Sequence, residues 1–330
     1  MHGASIKHQC ARPYWYGKDR TIEDELSLME KHVSGVIRDI FDRGAPPRRG
    51  DPKAKAMATF AVMQWLRTPG AILEKDACNM ELCRLLKASG DLSHDEEMAF
   101  HNALKPMEAS VEESIDVAKG LADTMWDLDQ FLLINDGPVG FITSDIGLVM
   151  NNQWLEGITR VGTSGFGCKG VQVLLPLSPR HLLMIYHSAV YKVAPRGQIV
   201  CRTSDPADVW AVNQLILRSA HENVYYDRST HTMAAIDDLV QHTTRSPRHT
   251  QVRGEILPTE YGKILHLHTG DPAPSVRLPW VRIRRNAQRV PIRERLRPRI
   301  PSRRVSDDGR FPYPPEVEFM ERAYPLRTLW

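Results

Sequence analysis

Three consecutive oxygen-bearing side chains, Thr143, Ser144 and Asp145, follow the apolar residues Phe141 and Ile142. The apolar residues predict a strand, and loops that leave strand ends commonly present functional groups from a rigid scaffold. Asp145 could therefore ligate a metal, act as a general base or orient a hydroxyl group of a ligand. The alternative is structural, because Ser and Asp side chains also hydrogen-bond the backbone of their own turn.

A second group of polar residues lies in the sequence Pro176-Leu-Ser-Pro-Arg-His, between two apolar segments that predict strands. Arg180 could hold a phosphate or a carboxylate in a bidentate manner, and His181 could transfer a proton. The alternative is a rigid turn with two prolines and an exposed basic edge. Asn213, which lies among the apolar residues of a predicted helix, could hold the backbone of a loop or bind a ligand.

The chain matches the common metal and nucleotide patterns poorly. Cys78 and Cys83 are five positions apart on a predicted helix, so their side chains diverge. His266 and His268 would lie on one side of a strand, but a zinc site needs further ligands at a suitable spacing. The glycine-rich residues 162–170 lack the spacing of a phosphate-binding P-loop. We therefore expect no metal site and no cofactor, with a divalent metal required only if the Thr-Ser-Asp sequence serves a hydrolase.

Positive charge is concentrated near the carboxyl end. Between residues 277 and 304 there are eleven arginines and a single acid, Glu294, although the formal net charge of the whole chain is only +3. Four prolines in this stretch disfavour a long regular helix. Runs of like charge are often solvated arms, whereas clustered arginines also bind the phosphates of a nucleic acid or the carboxylates of an acidic protein. The candidate nucleic-acid contacts are Arg282, Arg284, Arg285 and Arg289.

Helical periodicity and cap signals dominate the first half of the chain, and strand patterns follow it. The predicted helices cover residues 21–41, 52–66, 69–86, 93–104 and 111–124. Later elements are strands over 126–134, 141–143, 171–175, 182–187 and 224–226, with a helix after Asp205-Pro206. The strand at 141–143 is expected to form a hairpin with the one before it. Without strict βαβ alternation, this order predicts an α+β fold, with a helical N-terminal half and a small, mostly antiparallel sheet with a packed helix.

Gly and Pro cluster near residue 270, which predicts a boundary there. Residues 1–270 then form a single α+β body, helical over 18–125 and sheet-containing over 126–270. Residues 271–330 are expected to be a Pro/Arg-rich tail, partly disordered.

The composition, 42% hydrophobic and 25% charged, is ordinary for a soluble globular protein. No segment approaches the roughly 20 apolar residues of a membrane helix, so no membrane association is expected. The first ten residues lack the apolar core of a signal peptide. The five scattered cysteines, odd in number, predict a reduced, cytoplasmic protein.

Four pieces of the sequence, taken in order, resemble the bacterial family catalogued as domain of unknown function 4238. They are the segment from Cys10 to Asp19 with the acidic stretch up to Glu30, the segment from Trp126 to Asp145, Leu175 to Pro179, and Val212-Asn213 through Tyr226. The resemblance supplies a fold expectation and a set of candidate positions. These positions are Thr143, Ser144, Asp145, Ser178 and Asn213.

The chain departs from the family pattern at both ends. Members usually begin with a His-Tyr-Val-Pro segment and an aromatic strand, and this chain starts after that point. The arginine-rich end has no counterpart in the pattern. If the absent segment contributes to the site, the resemblance implies a shortened or inactive member. Because the family has no established activity, the resemblance implies no reaction.

Two functions therefore stay open. The first is a binding or regulatory module, which would engage a nucleic acid or an acidic protein through residues 277–304. The alternative is a metal-dependent hydrolase of a phosphodiester or another anionic substrate, with Asp145 as metal ligand or base, Ser144 as a polar contact and Arg180 as the anion clamp. The hydrolase needs a partner for Asp145, for which Glu222 and His181 are the candidates. The chain offers no complete catalytic set, which favours the binding module.

Overall fold

The computed structural model describes most of the chain. The described residues are 21–90, 93–103, 118, 120–158, 165–195, 197–243, 252–259, 262–269, 276–297 and 299. In this part of the chain, no helix is both long and apolar enough to cross a membrane.

The described part of the N-terminal half is mainly helical, as predicted, and cap residues set the boundaries of its helices. Of the helix predicted over 111–124, residues 111–117 and 119 lie outside the described residues. The helices of the first half are α1 (Thr21–Arg43), α2 (Pro52–Leu66), α3 (Pro69–Ser89) and α4 (His94–Ala103). The second half contributes α5 (Pro206–Ser219), α6 (Met233–Gln241), α7 (Arg285–Gln288) and α8 (Ile292–Arg295). Residues 120–124 are also helical, and Gln153–Leu155 form a 3₁₀ turn. The side chain of Asp51 accepts a hydrogen bond from the Lys53 amide, and Thr68 accepts one from the Ala71 amide. Each cap satisfies an otherwise unpaired donor of the first helical turn.

The second half contains a mixed five-stranded sheet together with smaller antiparallel sheets, so the fold is α+β. The strands are β1 (Asp129–Asn135), β2 (Thr143–Ser144), β3 (Val149–Asn151), β4 (Gln172–Ser178), β5 (His181–Tyr186), β6 (Tyr191–Lys192), β7 (Val200–Thr203), β8 (Val224–Tyr225), β9 (Val252–Thr259), β10 (Gly262–Thr269) and β11 (Arg282–Ile283). The main sheet has the order β3-β4-β5-β1-β7. Its neighbours are antiparallel except for the parallel pair of β1 and β7.

The side chains of β1 alternate between two hydrophobic clusters, one on each face of the sheet. Leu132 and Ile134 pack in a cluster with α1, α2 and α3. Phe131 and Leu133 belong to a second cluster with α5 and α6. Because side chains in a strand point alternately to opposite faces, the sheet is a middle layer covered on both sides.

The predicted hairpin between β1 and residues 141–143 is wrong. The neighbours of β1 are β5 and β7, and Thr143 instead lies opposite Tyr225 of β8. The physical reason is that other partners hold this backbone. The Phe141 amide donates to the carbonyl of Pro179, and the Ile142 amide donates to the side chain of Asn213.

Residues 276–297 and Arg299, called the C-terminal segment below, pack against the second cluster. Leu278, Val281 and Ala287 are buried there, and the ring of Trp280 stacks on Phe131 with centroids 5.6 Å apart. The ordered packing therefore continues past the boundary predicted near residue 270. Residues 301–330, which were predicted to belong to the tail, lie outside the described residues.

Candidate functional site

The Asp145 carboxylate lies against the loop that follows α5 and accepts three backbone hydrogen bonds. Oδ1 accepts from the His221 amide at 3.0 Å, and Oδ2 accepts from the amides of Glu222 and Asn223 at 2.6 and 3.0 Å. The Ser144 hydroxyl accepts from the Ile146 amide at 3.3 Å. The Ser144 contact is the one expected of the structural alternative, because its hydroxyl binds the backbone of its own turn. Asp145 instead binds the backbone of a loop that lies 76–78 positions away in the sequence. Glu222, a candidate partner, contacts Asp145 through its backbone.

Asn213 is buried and holds the loop before β2. Its Oδ1 accepts from the Ile142 amide and its Nδ2 donates to the Gly140 carbonyl, both at 3.0 Å. Asn135, at the end of β1, acts similarly, since its Nδ2 donates to the Val139 carbonyl at 2.6 Å. A carboxamide carries both a donor and an acceptor, so it can pair with a peptide group in place of a strand.

Ser178, Arg180 and His181 are brought together in the turn between β4 and β5. The Ser178 hydroxyl lies 2.9 Å from His181 Nδ1 and accepts a hydrogen bond from the Arg180 amide at 3.1 Å. The imidazole of His181 packs on Phe41, with ring centroids 4.7 Å apart. Burial, with a contribution from Arg202, lowers the pKa of His181, which favours the neutral ring.

Two further charged residues, Asp136 and Arg202, lie at the same edge of the sheet. Arg202 binds the Asp136 carboxylate through Nε at 2.8 Å and Nη2 at 2.6 Å. This pairing lowers the pKa of Asp136, to which the charges of Arg180 and His181 add. The parallel register that places Ile134 opposite Arg202 creates this cluster. No local pattern in the sequence predicts this cluster, because the pairing of β1 with β7 is set by the tertiary fold.

The candidate residues therefore separate into two groups. Ser178, Arg180 and His181 form a solvent-facing polar cluster with Asp136 and Arg202. The other group lies on or next to β2 and on α5, and its members mainly hydrogen-bond backbone groups. These residues are Thr143, Ser144, Asp145 and Asn213. Among the described residues, no group of three or more His, Cys, Asp or Glu side chains is arranged to hold a metal ion.

The arginines of the C-terminal segment divide into anchoring and exposed residues. Arg284 Nε donates to the carbonyls of Ser188 and Tyr191, and Arg295 lies over the Trp154 ring at 5.1 Å. Arg299 is buried and forms an ion pair with Asp127. These guanidinium groups fix the segment to the body. Of the four predicted nucleic-acid contacts, Arg284 is thus engaged as an anchor.

The remaining predicted contacts are exposed. They are Arg282 on β11, Arg285 at the start of α7 and Arg289 at its end, and Arg293 in α8 adds a fourth exposed guanidinium. Arg277 and Arg297, in contrast, form ion pairs with Glu156 and Glu294. Among the described residues, no acidic side chain pairs with these four guanidinium groups, so the surface carries positive charge on a segment whose backbone is fixed.

Comparison with known proteins gives a family and nothing further. The model of the family described as "Protein of unknown function (DUF4238)" matches residues 1–230. No curated protein and no solved structure matches the chain. The matched residues include the Thr-Ser-Asp sequence, the β4–β5 turn and Asn213, but not the C-terminal segment.

Proposed function

The chain belongs to the DUF4238 family, and we propose that it is a binding module that holds a polyanion, with nucleic acid as the favoured class, on the exposed arginines of its C-terminal segment. The observation that carries this proposal is the set of exposed guanidinium groups at Arg282, Arg285 and Arg289 on an anchored backbone. Guanidinium groups bind phosphate oxygens in a bidentate manner, and phosphate contacts dominate nonspecific nucleic-acid affinity.

The anchored backbone supports the proposal because it reduces the entropic cost of binding. The amide of Arg284 donates to the Val190 carbonyl, and β11 pairs with β6 through Ile283 and Tyr191. A disordered arm would lose conformational freedom on binding, whereas residues 282–289 already have a fixed backbone. Phosphates are favoured over carboxylates because the spacing of charges along a nucleic acid is regular and dense.

The hydrolase alternative has weaker support. Both oxygens of the Asp145 carboxylate already accept backbone hydrogen bonds, and Arg180 and His181 lie with Asp136 and Arg202 instead. The residues that the hydrolase would require to act together thus belong to two groups.

The test compares two triple variants of the full chain that change the net charge equally. One is Arg282→Gln/Arg285→Gln/Arg289→Gln, and the control changes the exposed residues Arg38, Arg48 and Arg228 to Gln. Fluorescence anisotropy measures binding to labelled duplex DNA and single-stranded RNA at about 50 mM salt, where phosphate contacts are strong.

We expect the first variant to lose most of its affinity and the control to retain it. Equal losses of affinity in both variants would show that only the net charge of the protein matters, and they would overturn the proposal. Absence of binding by the wild-type protein would overturn it as well. If the protein binds polyglutamate but no nucleic acid, the ligand is an acidic protein and the proposal of a nucleic acid is overturned.

A further inference from the structure

The side chain of Asn151 pairs with the backbone of Val276 as a neighbouring strand would. Its Nδ2 donates to the Val276 carbonyl at 3.0 Å, and its Oδ1 accepts from the Val276 amide at 3.1 Å. Asn151 is 2% exposed. Both partners are main-chain groups, so the contact recognises an extended backbone at this position and no particular side chain.

Gln153 and Trp154 continue this recognition along the segment. Gln153 Oε1 accepts from the Leu278 amide, and its Nε2 donates to the Val281 carbonyl, both at 3.2 Å. Trp154 Nε1 donates to the Ala287 carbonyl at 3.0 Å. Three side chains that are nearly consecutive in sequence thus bind the main chain of residues 276–287.

The binding groups are held in place by partners within the body. Gln172 Oε1 accepts from Asn151 Nδ2 at 2.8 Å, and the Trp154 amide donates to the Tyr191 hydroxyl at 3.1 Å. The Tyr191 hydroxyl donates in turn to the Gly170 carbonyl at 2.7 Å. We call the five residues Asn151, Gln153, Trp154, Gln172 and Tyr191 the carboxamide groove.

Apolar residues of the C-terminal segment are buried beside these hydrogen bonds. Leu278 is 1% exposed and Val281 is 6% exposed, both within the second cluster. Next to them, β11 adds to β6 by strand pairing. Backbone hydrogen bonds that provide affinity and apolar pockets that provide specificity are the features of peptide recognition by strand addition.

We infer that the carboxamide groove is a peptide-binding site within the family-matched part of the chain, and that the C-terminal segment is its ligand, supplied in cis. The groove lies within residues 1–230, whereas its occupant lies outside that match. The ligand class is an extended peptide with apolar side chains at the positions of Leu278 and Val281. This inference is independent of the polyanion proposal, because the exposed arginines are not among the groove contacts.

The test keeps the full chain and cuts one bond. Residues 271–275 are replaced by the recognition sequence of a site-specific protease, the folded protein is cleaved, and a fluorescent peptide of residues 276–299 is added in excess. Fluorescence anisotropy follows entry of the peptide, and near-UV circular dichroism follows the packing of the body.

Three peptides separate the contributions to binding. The wild-type peptide should enter saturably while the body remains native. A peptide with Leu278→Asp and Val281→Asp should bind at least about 100-fold more weakly, because two buried apolar side chains are lost. A peptide with Arg282→Gln, Arg285→Gln and Arg289→Gln should bind like the wild type.

Three results would overturn the inference. One is that the wild-type peptide fails to enter after prolonged incubation. Another is that the Leu278/Val281 variant binds as well as the wild type. The third is loss of the native near-UV spectrum on cleavage, which would make the segment an inseparable part of the core.

Discussion

Buried carboxamides hold much of the irregular backbone of this protein. Asn135 and Asn213 fix the loop between β1 and β2, and Asn151 and Gln153 fix the start of the C-terminal segment. A buried peptide group without a partner is costly, so each carboxamide stabilises a segment that has no strand neighbour at that point. In residue type, Asn135 and Asn213 resemble a ligand site, whereas their partners are main-chain groups of the loop between β1 and β2.

Asn213→Ala should lower the free energy of unfolding by about 2–3 kcal/mol, since it leaves the Ile142 amide and the Gly140 carbonyl without their partner. Urea unfolding measures the change. Gln214→Ala, on the same helix but only partly buried, is the control and should have a small effect. Similar losses in the two variants would show that Asn213 does not hold the loop.

Asp145→Ala should lower stability by about 1.5–3 kcal/mol, because a carboxylate that accepts three backbone hydrogen bonds is removed. The exposed Asp237 of α6 provides the matched control, Asp237→Ala. Thermal and urea unfolding give the comparison. A stable Asp145→Ala protein would show that these hydrogen bonds do not hold the loop, and it would return Asp145 to the candidates for chemistry.

His187 should make stability depend on pH. Burial, with the charges of Arg299 and Lys169 adding to it, lowers the pKa of His187 to about 4. The unfolded value is about 6.5, so between these values the unfolded chain binds more protons than the native protein. The contribution of the neutral His187 ring to the free energy of unfolding is therefore fully present above about pH 6.5, and it decreases by about 3 kcal/mol as the pH falls to about 4.

Urea unfolding of the wild type and of His187→Gln over this pH range isolates that contribution. The variant retains an acceptor for the Gly170 amide, which donates to His187 Nδ1 at 3.1 Å, but it does not titrate. We expect a shallower pH dependence in the variant. Other histidines with lowered pKa values contribute equally to both proteins, so only His187 can make the two pH dependences differ. Parallel curves of unfolding free energy against pH would therefore contradict the role of His187.

At the scale of elements, the sequence predicted those whose signals are local. Asp51, Thr68 and Asp205 cap the helices that follow them, and the β4–β5 hairpin lies where its turn sequence indicated. Residues 141–143 were misassigned because Asn213, 71 positions away from Ile142, sets their backbone. Long-range partners of this kind leave no periodicity in the sequence.

The C-terminal segment illustrates the same limit. Its prolines and arginines indicated a solvated arm, whereas Leu278 and Val281 are buried in the structure. They are buried because side chains of the body bind the adjacent backbone. The residue types thus identified the cluster of arginines. They could not show that Arg284 anchors the segment whereas its neighbours Arg282 and Arg285 are exposed.

The buried ion pair of Asp127 and Arg299 should anchor the end of this segment. Their side chains are 9% and 2% exposed. Removing one partner leaves the other charge buried, so Asp127→Leu or Arg299→Met alone should cost about 3–5 kcal/mol. The double variant should be more stable than the sum of the single effects predicts, which a double-mutant cycle by urea unfolding measures. Additive effects would show that the pair is not coupled.

At the scale of the whole molecule, charge and packing are distributed differently along the chain. The arginines between residues 277 and 304 outweigh their single acid, so the remainder of the chain is acidic overall. The packed α+β body provides the fixed surface, and the C-terminal segment carries the positive charge on it. The family-matched residues and the basic surface are therefore physically joined, although the family match ends at residue 230.

Polyanion binding by these exposed arginines is best tested by the salt dependence of duplex DNA binding. Each phosphate contact contributes about 0.9 to the slope of log K against log salt concentration. The wild type should therefore show a slope steeper by about 2.7 than Arg282→Gln/Arg285→Gln/Arg289→Gln. The variant with Gln at positions 38, 48 and 228 should keep the wild-type slope. Identical slopes in all three proteins would contradict the claim.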